Sequence, residues 1–205
     1  MKGKKLLISA TATAALGLLE SWALAEQPGQ RLSPYVGQER REIKALSSEE
    51  IDDLLNGRGM GLARAAELNH LPGPRHVLEL TENLDLSAEQ VARTHRVHDR
   101  MLAEAARLGP LIIERERALD ELFVGMSMHP AGSDSGHAAG SAHQDPHERV
   151  VEQMQRMVLE VGRLQGELRA THLRAHIEMR EILLPQQVHR YMELRGYASG
   201  HTHGH

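Results

Sequence analysis

An all-α fold is what this 205-residue sequence predicts, and three observations predict it. Apolar residues alternate by three and four over two long stretches, roughly 91–126 and 150–182, which is the period of a helix face. The aromatic residues are only Trp22, Tyr35, Phe123, Tyr191 and Tyr197. That is too few for a large β-sandwich or barrel, whose strands draw on aromatic and β-branched side chains. Cap and breaker residues fall where the periodic runs start and stop. The length suits one domain, or at most two small ones, and is enough to bury a core.

The first 25 residues read as an address. Met1-Lys2-Gly3-Lys4-Lys5 is a basic start, Leu6 to Leu19 is apolar, and Ala23-Leu24-Ala25 is a small-x-small cleavage site. This is the layout of a secretory signal peptide, with cleavage expected after Ala25. The apolar run is short for a membrane-spanning helix, which needs about 20 residues. Retention as an anchor is the alternative; cleavage leaves no stable membrane anchor. Removing Lys2, Lys4, Lys5 and Glu20 takes the net charge from −4 to −6 and leaves Lys44 as the one lysine among the arginines. In a Gram-negative bacterium the destination is the periplasm.

Residues 26–37 read as a flexible arm. Glu39 to Leu55 carries Ile43, Leu46, Ile51, Leu54 and Leu55 at helical spacing, with Ser47 or Ser48 as an internal cap, and Asn56-Gly57-Arg58-Gly59 ends it. A short helix from Leu62 to Leu68 precedes the Pro72-Gly73-Pro74 break, and another runs from His76 to Leu84. Ser87 with Gln90 forms a capping box that opens a helix reaching about Met126. Gly109-Pro110 predicts a kink within it, because proline removes a backbone hydrogen bond. Residues 127–146, rich in Gly, Ser, Ala and His, read as a linker. A second long helix is expected over His147–Leu184 and a short one from Pro185 to Leu194, before a His-rich disordered tail at 198–205.

Composition excludes several functions. The acidic balance opposes binding of a phosphate backbone, and the scarcity of rings opposes single-stranded nucleic-acid platforms. The absence of Cys removes disulfides, zinc-thiolate sites, iron–sulfur clusters and thiol nucleophiles. No G-x-S-x-G, H-E-x-x-H or Gly-rich phosphate loop is present, so no enzyme, no catalytic residue and no organic cofactor is expected.

Leu86-Ser87-Ala88-Glu89-Gln90 is similar to the LTxxQ motif of the Spy/CpxP superfamily of periplasmic proteins, and Leu183-Leu184-Pro185-Gln186-Gln187 resembles its second copy. Gly59-Met60-Gly61-Leu62-Ala63 with Pro72-Gly73-Pro74 resembles the branch described as periplasmic heavy-metal sensor or resistance proteins. The resemblance covers about 35–123 and 146–197, a helical domain over 38–197 interrupted by the linker. One departure is that Leu184 stands where the motif has Thr, removing a hydroxyl cap. The resemblance implies a long antiparallel helical hairpin with short flanking helices that pairs as a homodimer into a curved cradle. It implies two functions: binding of transition metal in resistance, buffering or sensing, or ATP-independent chaperoning of unfolded clients in the envelope-stress response. An envelope signalling protein is a further possible partner.

Ten of the 14 His lie from His129 onward. Met126, Met128, His129, His137, His143 and His147 form a Met/His cluster that reads either as a loose metal-binding loop or as a solubilising linker. His201, His203 and His205 carry the same two readings. His172 and His176 are four apart on one helix face with Met179 three further on, so one ion of Zn, Cu, Ni or Co can bridge the pair. The alternative is two polar residues flanking the seam. The nickel–cobalt sensor branch that the sequence resembles places His and Met ligands at comparable spacing. His95 and His98 form a second pair, with His98 also readable as a packed core residue; His70 and His76 bracket the proline turn as structural residues.

Overall fold

The computed structural model describes residues 32–128 and 145–197. The expected signal peptide, most of the linker and the tail lie outside the described residues. The segment before Gln38 groups apart from the rest of the chain. In its described part, Ser33 closes a turn, accepting at its hydroxyl from the Tyr35 amide and at its carbonyl from the Val36 amide.

Every regular element among the described residues is helical. After a 3-10 turn at Gln38–Arg40 come α1 (Ser48–Leu55), α2 (Arg64–Leu68), α3 (Pro74–Glu79), α4 (Ala88–Met128), α5 (Pro146–Ile182) and α6 (Pro185–Leu194). No described helix is long and apolar enough to cross a membrane.

The first helix starts later than the apolar spacing predicts, and the cause is local. The Ser47 hydroxyl accepts from the Glu50 amide at 3.2 Å while the Glu50 carboxylate takes the Ser47 N–H at 2.8 Å. This capping box fixes Ser47 in an extended conformation, so helix cannot extend back through it. Those bonds also hold the Glu50 carboxyl below its usual range, the backbone one being the larger cause. Ile43 and Leu46 are buried all the same, as irregular chain rather than helix.

α4 runs as one helix through Gly109-Pro110. The glycine matters for packing: a Cβ built on Gly109 would stand 1.9 Å from the Leu54 carbonyl oxygen, so the end of α1 rests on bare backbone there. Gly57, at φ +61, makes the next turn, where an added Cβ would come within about 3.1 Å of Ala105 and the Leu102 carbonyl. The α4–α5 contacts pair rising numbers on one helix with falling numbers on the other: Gln90 with the Ile182 carbonyl, Arg100 with Glu178, Arg115 with Glu160.

Two apolar clusters lie along this pair. Ile43, Leu46, Leu54, Ala105, Leu108, Ile112, Ile113, Leu164 and Leu168 form one. Val77, Leu84, Val97, Ala175, Met179, Ile182, Leu183, Tyr191 and Met192 form the other. At about 25 cal/mol per Å² of apolar surface removed from water, these clusters are the main stabilising contribution.

The two five-residue cap segments meet side chain to side chain. Ser87 caps α4 as its spacing with Gln90 predicts. Leu184 offers α6 no hydroxyl, but the Gln187 carbonyl oxygen still accepts from the Leu184 amide at 2.9 Å. The Gln90 amide donates to that same oxygen at 2.7 Å, and the Gln187 amide donates to the Leu84 carbonyl at 3.1 Å.

Candidate metal site

The seam along α5 changes character between the two clusters. Leu168 belongs to the first and Ala175 to the second; His172 and His176, one turn apart, fall at the junction. Both are buried, with 4% and 9% of their surface exposed. They line a cavity of about 550 Å³ whose other walls come from the α1–α2 turn, α2, the start of α3, α4 and Tyr197. His76, His98, Met60 and Met101 also line it.

Each imidazole is held differently. The Nδ1 of His176 lies 2.7 Å from the Leu71 carbonyl oxygen. A carbonyl only accepts, so Nδ1 carries the proton and the neutral ring keeps its lone pair on Nε2. That nitrogen and the adjacent Cε1 face Gly73, where a Cβ would come within 3.0 Å of both. His172 is ordered by packing instead: its Nε2 is buried without a hydrogen-bond partner, and its Nδ1 edge faces Gly59. Burial first, and then the neighbouring His176, depress the His172 pKa below its ordinary value and favour the neutral, ligand-competent ring.

Beside the pair lies a buried polar node that the sequence did not single out. Glu67 of α2 accepts a 2.7 Å hydrogen bond from the Tyr191 hydroxyl and pairs with Arg195 at 3.5 Å. Its second oxygen is 3.8 Å from His176 Nδ1 and has no hydrogen-bond partner. Burial, reinforced by the bond to Glu67, pushes the Tyr191 phenol well above its usual range. His76, whose Nδ1 is 3.5 Å from that hydroxyl, has its pKa depressed by burial and then by Arg195.

The remaining sequence candidates scatter. Met179 is fully buried in the second cluster and packs there rather than among the cavity's lining residues, because three positions past His176 the face turns back into the apolar seam. His98 reaches the cavity but its neighbour one turn back, His95, is exposed and does not line it; His98 Nδ1 sits 3.2 Å from Asp99. Met126, Met128 and His147 are exposed at the ends of α4 and α5. His129, His137 and His143, like His201, His203 and His205, lie outside the described residues. His76, expected only to brace the proline turn, is a lining residue as well.

Among the described residues, no three His, Asp or Glu side chains stand close enough to hold an ion between them. What lines this cavity is an imidazole pair and two thioethers, with a buried nitrogen of His172 and a carboxylate oxygen of Glu67 lacking partners. That donor set fits a soft or borderline transition metal better than a hard, oxygen-seeking cation. No protein-family model, curated protein or solved structure matches this chain.

Proposed function

We propose that this chain is an exported helical binding protein that takes up a transition metal ion, in resistance, buffering or sensing, at the His172/His176 cavity. The observation that carries the reading is the imidazole pair at the junction of the two apolar clusters, with the His172 Nε2 buried and unpartnered. A buried polar atom left without a partner costs about 1–3 kcal/mol, so its retention needs a reason, and ligation supplies one. Export to the periplasm, an antiparallel hairpin and a homodimeric cradle complete the proposal; the falling-against-rising contact order of α4 and α5 supports the hairpin. The reading is of a binding protein, not an enzyme.

Isothermal titration with Zn, Cu, Ni and Co tests it. Replacing both residues, His172→Ala/His176→Ala, is expected to weaken the tightest binding by on the order of a hundredfold. Affinities for all four ions equal to those of the unaltered protein would remove the site.

A chaperone of the Spy/CpxP type is the second reading. Its support is apolar exposure toward the ends of α4 and α5 beyond the first cluster: Phe123 is 49% exposed, Met128 74% and Leu159 73%. Apolar side chains left in water in this way suit contact with unfolding clients.

A further inference from the structure

Resting on the metal-binding reading, we propose that the ion this cavity selects is cuprous copper, held by His172 and His176 with the Met101 and Met60 thioethers as the soft donors.

The charge of the site argues for a monovalent ion. Its imidazoles bind as uncharged donors, and the one buried carboxylate, Glu67, has one oxygen held by Tyr191 and its charge offset by Arg195, while its other oxygen is unpartnered. The other charged residues on the wall are arginines: Arg58, paired with Asp52 and Asp53, Arg75, paired with Glu79, and Arg64. A divalent ion would bring two charges into a cavity whose one buried carboxylate is already offset by Arg195, which costs more than a single charge does. Zinc sites moreover settle at four ligands, or three and a water.

Ligand chemistry points the same way. Thioether sulfur is a poor ligand for Zn, Ni and Co but a good one for Cu(I), which is satisfied by two or three soft donors. Met101 lies on α4 one turn beyond His98 and is packed against the second cluster; Met60 enters from the α1–α2 turn. The two imidazoles and the two thioethers are thus brought to one cavity by three separate segments, and the Leu71 carbonyl fixes which nitrogen of His176 is the donor. The cavity is wider than a bare ion needs, which leaves room for a sulfur to swing onto the metal.

The test uses the full exported chain under anaerobic conditions, with Cu(I) delivered from its acetonitrile complex against bicinchoninate as competing chelator. Zn, Ni and Co are titrated separately. Met60→Leu/Met101→Leu keeps side-chain volume and apolarity, so the fold survives, and circular dichroism checks that. The expected result is a Cu(I) affinity lowered by about tenfold or more, with Zn affinity unchanged, and loss of copper–sulfur scattering in X-ray absorption. Unchanged Cu(I) affinity and persistent sulfur scattering in that variant overturn the inference. So does a Zn or Ni affinity that depends on His172 and His176 while Cu(I) affinity does not; in that case the metal-binding reading stands and only the choice of ion fails. If no ion responds to loss of the histidine pair, both fail together.

Discussion

Gly73 shows how a single backbone position can set an imidazole's pose. Its φ of −85° is one that any residue adopts, so conformation does not demand glycine there. Space does: an added Cβ would press within 3.0 Å of the His176 Cε1 and Nε2 atoms. Gly73→Ala is therefore expected to displace the imidazole by a few tenths of an ångström against its Leu71 anchor. Metal affinity should fall on the order of tenfold, while unfolding free energy moves by less than about 1 kcal/mol. Chelator competition and urea unfolding on the same protein measure both; a stability loss with unchanged affinity would make Gly73 a packing residue only. The histidine pair was legible in the sequence because four residues is a helical turn. Glu67 and Met101 were not, since nothing local marks them, and Met60 stood out only within its glycine-flanked motif: they join the pair only when the α1–α2 turn, α2, α4 and α5 fold together.

Among the elements, the paired glutamines tie the start of α4 to the start of α6. Each carbonyl oxygen accepts its own N-cap amide, Ser87 for Gln90 and Leu184 for Gln187. Each side-chain amide also reaches the other's oxygen. Gln187→Ala leaves the Leu184 N–H, the Leu84 carbonyl and Gln90 each short of a partner, and should cost about 2 kcal/mol. Because Gln90 and Gln187 share bonds, the double substitution should cost about 1 kcal/mol less than the two single losses together. Strict additivity in urea unfolding would show that the two caps act independently. Spacing revealed the Ser87–Gln90 cap, while the Leu184 segment was expected to lack one; that Gln187 still holds the Leu184 N–H and touches Gln90 was not legible, since 97 residues separate the two glutamines. Spacing also mislaid the start of α1: Ile43 and Leu46 are as buried as helical positions would be, yet the Ser47–Glu50 box outcompetes helix propagation.

The whole molecule buries histidine where two apolar clusters meet, and this gives its stability a direction with pH. The long helices were legible because their seams repeat over many turns; the interruption at His172 between Leu168 and Ala175 gained its meaning only with the α1–α3 segment laid over it. In the metal-free protein, burial lowers the pKa of His172 and of His76 below 6.5, helped by His176 in one case and Arg195 in the other. Above about pH 8 both rings are neutral folded or unfolded, and neither contributes to the pH dependence. As pH falls through 6.5, the unfolded chain takes up protons that the folded one refuses. Stability therefore drops from there down to the folded-state pKa values. With a chelator present to keep the protein metal-free, thermal unfolding should shift to lower temperature between about pH 7.5 and 5.5, above the range in which most carboxylates titrate. His172→Leu removes one of the two refusing rings and the unpartnered Nε2 with it. The variant should lose less of its melting temperature across that window, and it should equal or exceed the unaltered protein at the acid end. An identical loss in both proteins would mean that His172 takes up its proton as readily when folded as when unfolded.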